Sequence, residues 1–191
     1  MNGNKKRTAN ISISAMFIAL GLVLPFLTGQ VPQIGSMLLP MHIPVLLCGL
    51  ICGAKYGLIV GAMLPLLRSA LFGMPPMYPT AVAMAFELAT YGFVIGAVYY
   101  RKDYRCTKML FRAMLCSMVA GRLVWAGAMM VLMGIQGSVF TWQAFTAGAF
   151  LNAIPGILLQ LFLIPAVMIA LDKTKVFPFK KTEKKCNDEI N

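Results

Sequence analysis

Residues 79–99 read PTAVAMAFELATYGFVIGAVY and contain one charged side chain, that of Glu87. A helix of this length covers about 30 Å, which is the thickness of the hydrocarbon layer of a bilayer. The whole chain is 59% hydrophobic and 12% charged, so it has too few solvating side chains to cover a soluble globule of 191 residues. The stretch therefore predicts a membrane-spanning helix within a membrane protein.

Five further apolar stretches accompany this one. Together they predict an all-α, polytopic membrane protein with six transmembrane helices near residues 11–29, 41–54, 56–72, 79–99, 110–134 and 143–171. The second stretch is short for a full crossing and could be a half-span that continues from a buried loop. Merging it with the third would place Lys55 inside the membrane at a cost of roughly 2.5–3.5 kcal/mol. A tight turn at Gly53-Ala54-Lys55 avoids that cost.

The positive charges predict the orientation. Fifteen of the 17 Lys and Arg residues fall on the side of the predicted bundle that holds both chain ends, and the opposite loops carry none. Because loops rich in Lys and Arg stay in the cytoplasm, both termini are expected to be cytoplasmic. The chain then divides into a cytoplasmic segment 1–10, a six-helix transmembrane domain 11–171 and a Lys-rich cytoplasmic tail 172–191.

Several classes of function are excluded or weakened by what the sequence lacks. The net charge of +11 has no basic stripe interleaved with aromatic residues, so no nucleic-acid partner is expected. One His and no C-x-x-C spacing argue against a metal or haem site, and no cofactor is expected. Neither a G-x-S-x-G motif nor an intramembrane Asp is present, so the chain is not expected to be an enzyme. No phosphate-binding P-loop motif is present either, so ATP-driven work would need another subunit.

Charged side chains inside predicted spans are the first candidates for a functional site, because burying them in lipid is costly. They are Arg68, Glu87 and Arg122, with His42 near the start of the second stretch. One reading is a Glu–Arg pair with the other Arg reaching to the interface. The other is a cavity with a spare cation, which favours a ligand bearing a carboxylate or phosphate.

Uncharged polar residues extend this candidate set. Tyr91 falls one turn after Glu87, and Asn152 and Gln160 lie in the last span. Each could contact a ligand or form a hydrogen bond to a neighbouring helix. Small residues indicate close helix packing, since Gly49, Gly53, Gly57 and Gly61 recur every four residues, as do Gly92 and Gly96.

Two loops on the side without cations are uncharged and rich in proline, residues 30–40 and residues 73–79. Such segments are tolerated at membrane depth when they pack on protein or line a cavity. We expect them to form a lid over a ligand, with His42 as part of the gate; the alternative is that they rest at the membrane interface.

The first span contains Ala15-Met-Phe-Ile-Ala19, which places two small side chains on one helix face. With the Pro40-Met-His-Ile-Pro-Val segment, the glycine series that follows it, and the segments 86–92, 121–123 and 155–160, the chain resembles the substrate-binding S components of energy-coupling-factor (ECF) transporters. The resemblance covers roughly residues 11–171.

This resemblance implies a six-helix subunit that holds a vitamin or related micronutrient in its outer half, in the plasma membrane of a bacterium. It implies docking on a transmembrane scaffold (T) subunit that carries two ATPase (A) subunits, with Ala15 and Ala19 matching the docking motif. The candidate substrate-binding residues are His42, Arg68, Glu87, Tyr91, Arg122, Asn152 and Gln160. The surplus cation favours a small anion, with pantothenate as the first compound to test.

Two other classes remain open at this stage. A self-sufficient secondary transporter could use Glu87 as its proton site, and it would work without ATPases. An integral membrane enzyme acting on lipid has little support, because no pairing of a nucleophile with a base is recognisable.

Overall fold

The computed structural model describes residues 3–27, 40–101, 107–135, 137 and 154–173. Within these ranges the chain forms six α-helices and no strand. They are α1 Gly3–Leu27, α2 His42–Cys52, α3 Ala54–Phe72, α4 Val82–Tyr99, α5 Thr107–Ile135 and α6 Ile154–Lys173. A single wide turn, Met77–Ala81, in which Tyr78 is extended, leads directly into α4. The all-helical fold predicted from the sequence is confirmed.

Five of the described helices are long and apolar enough to cross a membrane, and α2 is the exception. Its 11 residues cover about 17 Å. All of them except Ile51 are buried, because α2 packs against α1, α3, α4 and α6. Where the sequence predicts six spans, the described part of the chain therefore supplies five candidate crossings and one short interior helix.

Most helix boundaries lie close to their predicted positions, and the differences have local causes. Helix α1 begins at Gly3, eight residues before the predicted start, because polar residues such as Thr8 continue the helix. Gly53 alone separates α2 from α3, and its φ of +96° is open to glycine without steric cost. Lys55 is exposed in the first turn of α3. The predicted start of the last helix at residue 143 lies outside the described residues.

Helix α4 lies at the centre of the bundle, where glycines allow it to approach α2 and α3 closely. A Cβ added at Gly57 would lie 2.5 Å from the carbonyl oxygen of Gly92, and one at Gly49 would lie 2.6 Å from the same atom. Gly61 meets the Leu88 backbone in the same way. The close packing predicted from the glycine spacing is confirmed at these positions, since no larger residue fits there.

The two ends of the bundle differ in charge. One end, which we call the Lys55 end, carries exposed cations, namely Lys5, Lys6, Arg7, Lys55, Arg101, Lys108, Arg112 and Lys173. The opposite end, which we call the His42 end, holds the start of α2, the end of α3 and the turn before α4. Among the described residues there, the only Lys or Arg is the buried Arg68. The charge asymmetry expected from the sequence is therefore present in the folded helices.

Candidate functional site

Glu87 lies at the centre of a buried charged cluster between three helices. Arg122 of α5 places Nη1 3.2 Å from Oε1 of Glu87, and His42 of α2 places Nε2 3.7 Å from the same oxygen. The side chains of Glu87 and His42 are 2% and 1% exposed, and that of Arg122 is 11% exposed. Because an unpaired carboxylate is very costly in a medium of low dielectric constant, Arg122 stabilises Glu87 by supplying the opposite charge.

Tyr91 closes one side of this cluster from the next turn of α4. Its ring packs edge-on against the His42 ring, with centroids 5.1 Å apart and planes at 70°. Its side chain also interacts electrostatically with Glu87 and Arg122. Gly121 of α5 makes room for it, because a Cβ there would lie 3.0 Å from the Tyr91 ring. Sequence reasoning did not identify Gly121 as a site residue, and its position next to Arg122 is the signal that could have done so.

Several polar atoms of the cluster are buried without a hydrogen-bond partner in the described part of the chain. They include Nε and Nη2 of Arg122 and both ring nitrogens of His42. Buried donors in proteins nearly always find an acceptor, and each one left unpaired costs about 1–3 kcal/mol. Since the arginine atoms can only donate, the arrangement suits a group that offers oxygen acceptors, as a carboxylate does.

The last helix contributes Gln160, which is 1% exposed and lies on α6, the helix that contacts α2 and α5. Its Nε2 atom likewise lacks a hydrogen-bond partner among the described residues. Gln160 therefore adds another unpaired donor to the interior of the bundle. Asn152, the other polar residue predicted for this span, lies outside the described residues.

Arg68 has a separate environment between α1 and α3. Its Nη1 donates a hydrogen bond to the carbonyl oxygen of Leu22 at 2.9 Å. Its guanidinium also lies 5.4 Å from the ring centroid of Phe26 and 5.6 Å from that of Phe72. These rings meet edge-to-face at 5.0 Å. Arg68 is therefore held by a backbone carbonyl and two aromatic faces, and the carboxylate of Glu87 is paired with Arg122 and His42 instead.

The second proline-rich loop lies across the His42 end of the bundle. Gly73 ends α3 in a left-handed conformation with a φ of +68°, which turns the chain towards α4. Tyr78 then donates a hydrogen bond to the carbonyl oxygen of Leu132 on α5 at 2.7 Å. The loop thus connects the ends of α3 and α4 with α5. Of the first proline-rich loop, only Pro40 falls within the described residues.

The two alanines of the first span lie on the exposed face of α1. Ala15 and Ala19 are exposed, while Ser14 and Phe17 face the bundle and are buried. Oγ of Ser14 lies 3.6 Å from Sγ of Cys48 on α2, so the side of α1 that carries Ser14 packs against α2. The small residues are therefore presented outwards, where another helix could pack closely.

No group of three or more His, Cys, Asp or Glu side chains that could hold a metal ion occurs among the described residues. Arg122, His42 and Gln160 offer nitrogen atoms that can take part in hydrogen bonds, so the arrangement suits an organic group with oxygen acceptors.

Five described helices that are long and apolar enough to cross a membrane, with a buried charged cluster between α2, α4 and α5, define a multi-pass helical membrane protein with an internal polar site. Residues 9–168, most of the chain, match the family model described as "ECF transporter, substrate-specific component". The chain belongs to this family. It is a substrate-specific subunit of an ECF transporter, and subunits of this kind are transporter components and not enzymes.

Comparison with curated proteins gave no match, and comparison with solved structures gave none. The family assignment implies association with ECF T and A subunits and a small-molecule substrate. The resemblance predicted from the alanine pair and the glycine series is confirmed.

Proposed function

We propose that this subunit captures a vitamin-type micronutrient with an anionic group at the Glu87 cluster and presents it for ATP-driven uptake by a T subunit and two A subunits. Arg122, His42, Tyr91 and Gln160 contact the substrate, and Glu87 holds Arg122 in position. Pantothenate, a small monocarboxylate with several hydroxyl and carbonyl acceptors, is the first compound to test.

The observation that carries this proposal is the set of buried donors on Arg122 and Gln160 that have no hydrogen-bond partner among the described residues. A carboxylate on the substrate would accept both free N–H groups of the guanidinium in the planar, bidentate geometry that arginine favours. Each hydrogen bond to a charged group contributes about 1.5–3 kcal/mol, so substrate binding would remove the cost of the unpaired donors.

Two further elements complete the proposed site. The loop at residues 73–79 is joined to α5 by Tyr78, which suits a lid over the His42 end. We propose that residues 30–40 form its other half and that Asn152 contributes from the last span. Arg68 was a candidate ligand contact in the sequence; its bond to Leu22 supports instead a role in fixing the end of α1, from which the first loop departs.

The proposed membrane arrangement has both termini in the cytoplasm of a bacterium and the Glu87 cluster in the outer half of the plasma membrane. The exposed cations at the Lys55 end support this orientation, because positive charge is retained on the cytoplasmic side. In this arrangement α2 counts as the second of six membrane helices, shorter than the others. Residues 1–10 and 172–191 are the cytoplasmic segments, and residues 11–171 are the substrate-binding domain.

The T subunit is proposed to dock on the exposed face of α1 at Ala15 and Ala19. Ala15→Trp should reduce ATP-driven uptake to background when the chain is expressed with its T and A subunits, because a bulky ring prevents close helix contact. Ligand binding by the purified chain should be unchanged. Ala166→Trp is the matched control, since Ala166 is exposed on α6 and its replacement should leave uptake intact. Uptake that survives Ala15→Trp would exclude this docking face.

Ligand identification is the experiment that tests the proposed function. The detergent-solubilised chain is purified from cells grown in rich medium and denatured, and released small molecules are identified by mass spectrometry. A stoichiometric vitamin that Arg122→Gln no longer retains would support the proposal. No ligand, together with proton-driven uptake by this chain alone in vesicles that lack ATPases, would favour a secondary transporter that uses Glu87.

A further inference from the structure

The charge balance of the Glu87 cluster leads to a further inference, which rests on the proposed function. Glu87 and Arg122 cancel, so the cluster is neutral when His42 is neutral. A carboxylate ligand adds one negative charge in a place where the side chains are almost fully buried. Because burying a net charge is far more costly than burying a neutral group, the site needs one more positive charge when an anion is bound.

The surrounding helices offer few groups that could supply this charge. Arg68 on α3 is bound to Leu22 and enclosed by two rings. The other described charges on the packed helices lie at the Lys55 end, namely Lys5, Lys6, Arg7, Lys55, Arg101, Lys108, Arg112, Asp172 and Lys173. Tyr91 and Gln160 do not become cations. His42 is the described side chain of the cluster that can become a cation, because an imidazole has a second ring nitrogen that can bind a proton.

We propose that His42 takes up one proton from solvent when a monocarboxylate binds, so that the anion and the proton enter the site together. The geometry provides the route. Nε and Nη2 of Arg122 have no hydrogen-bond partner among the described residues, and neither does Oε1 of Glu87, so the first can donate to a ligand and the second can accept from His42. His42 Nε2 is 3.7 Å from that oxygen, so a movement of about 1 Å converts the contact into a hydrogen bond.

The uptake of one proton together with the anion also defines a substrate class. A monoanion with one proton leaves the site neutral, whereas a dianionic phosphate leaves one uncompensated negative charge and a cation leaves one positive charge. The site therefore selects monocarboxylates over phosphorylated or cationic vitamins. A neutral analogue of the same shape binds without proton uptake, and it binds more weakly because it cannot accept two charge-assisted bonds from Arg122.

Proton uptake can be counted by calorimetry on the full chain in detergent. Pantothenate and nicotinate are titrated against their neutral counterparts, panthenol and nicotinamide, in phosphate and in Tris, buffers whose heats of ionisation differ. For an anion that binds, we expect about one proton per ligand and a Kd that rises about tenfold per pH unit on the alkaline side. The neutral counterpart should give no proton uptake and a flat profile.

Two substitutions separate this role of His42 from a purely structural one. His42→Gln should remove proton uptake and the pH dependence, leaving a weaker affinity that is the same at neutral and alkaline pH. Glu87→Gln should also remove proton uptake, but it should raise anion affinity at alkaline pH, since Arg122 is then uncompensated. Cys116→Ser, an exposed position on α5, should keep the full proton linkage.

The outcomes distinguish this inference from the function on which it rests. An anion that binds without proton uptake by the natural chain overturns the role of His42 and leaves substrate capture standing, a result that needs no variant to fold. Binding of only neutral or cationic vitamins, such as riboflavin or thiamine, overturns the substrate class. If no vitamin of any charge binds, the proposed function itself fails.

Discussion

The two buried arginines of this protein occupy different environments, although the sequence presents them alike. Arg68 uses the Leu22 carbonyl and two aromatic faces, all within the contact of α1 with α3. Arg122 pairs with Glu87 and retains two buried nitrogens without a hydrogen-bond partner in the described part of the chain. The first cation is held by groups of the protein itself. The second has donors that no described residue of the protein accepts.

This difference indicates how a binding site is distinguished from a structural contact in a membrane. The Leu22 carbonyl and two aromatic rings hold Arg68 in the native state, so an additional partner would add little binding free energy there. The ion pair of Arg122 with Glu87 neutralises its charge, but two of its nitrogens remain without an acceptor among the described residues. A ligand that brings acceptors therefore gains more at Arg122 than at Arg68.

The largest expected effect is on binding at Arg122. Arg122→Gln should weaken binding of a carboxylate ligand on the order of 100-fold or more, because two charge-assisted hydrogen bonds of about 1.5–3 kcal/mol each are lost. Equilibrium binding to the purified variant measures this. Arg112→Gln, at an exposed position on the same helix, is the matched control and should bind as the natural chain does. Equal affinity of the Arg122 and Arg112 variants would show that the free donors do not serve the ligand.

The difference between the two arginines also depends on the position of α4, because this helix carries Glu87 and packs against α2 and α3. Gly57→Ala should lower the free energy of unfolding by about 1–3 kcal/mol, because the added methyl group meets the backbone at Gly92. Gly127→Ala is the matched control, as nothing lies within 4 Å of a Cβ at that position. Thermal unfolding in detergent measures both. A stable Gly57→Ala variant would mean that α4 can shift and that the cluster distances are not fixed by this contact.

Much of the architecture could be predicted from the sequence because it follows from apolar length and from glycine spacing. The helices containing Glu87 and Arg122 follow from uncharged stretches, and the close packing at Gly57 and Gly61 follows from small residues four apart. The short α2 was recognised as doubtful, because 14 apolar residues do not reach across a bilayer. Its end at Cys52 lies next to the turn that the sequence predicted at Gly53-Ala54-Lys55 from the cost of placing Lys55 in the membrane.

The grouping of the polar residues was harder to predict. Spacing places Glu87 and Tyr91 on one face of α4, but it contains no information on which arginine comes to Glu87, because that depends on how α5 and α3 pack around α4. The role of Gly121 was missed for the same reason, since its contact with Tyr91 is between helices. The order of contacts along α4 and α5 is a tertiary property that local sequence patterns do not encode.

Arg68 should behave as a structural residue in the variant that tests it. Arg68→Gln should lower the free energy of unfolding by about 1–3 kcal/mol. The variant loses the hydrogen bond to the Leu22 carbonyl and two cation–π contacts, and a single cation–π contact contributes about 0.5–2 kcal/mol. Arg68→Lys should recover part of this stability, since an ammonium keeps the charge but lacks the planar fork. The ligand affinity of the fully folded Arg68→Gln variant should change less than tenfold. A loss as large as that of Arg122→Gln would place Arg68 in the binding site and remove the distinction between the two arginines.

The smallest expected effect concerns the loop before α4. No described interaction joins this loop to Arg68 or Arg122. Tyr78→Phe removes only the hydroxyl that donates to Leu132, so it should cost about 0.5–1.5 kcal/mol of stability and leave the ring in place. If residues 73–79 form a lid, the ligand should dissociate several-fold faster from this variant while its association rate changes little, because the bond holds the closed loop against α5. Stopped-flow measurement of both rates decides the matter. Tyr56→Phe, near the Lys55 end, provides the matched control. Unchanged dissociation from Tyr78→Phe would mean that the loop rests on the bundle without retaining the ligand, and retention would then depend on the Arg122 contacts alone.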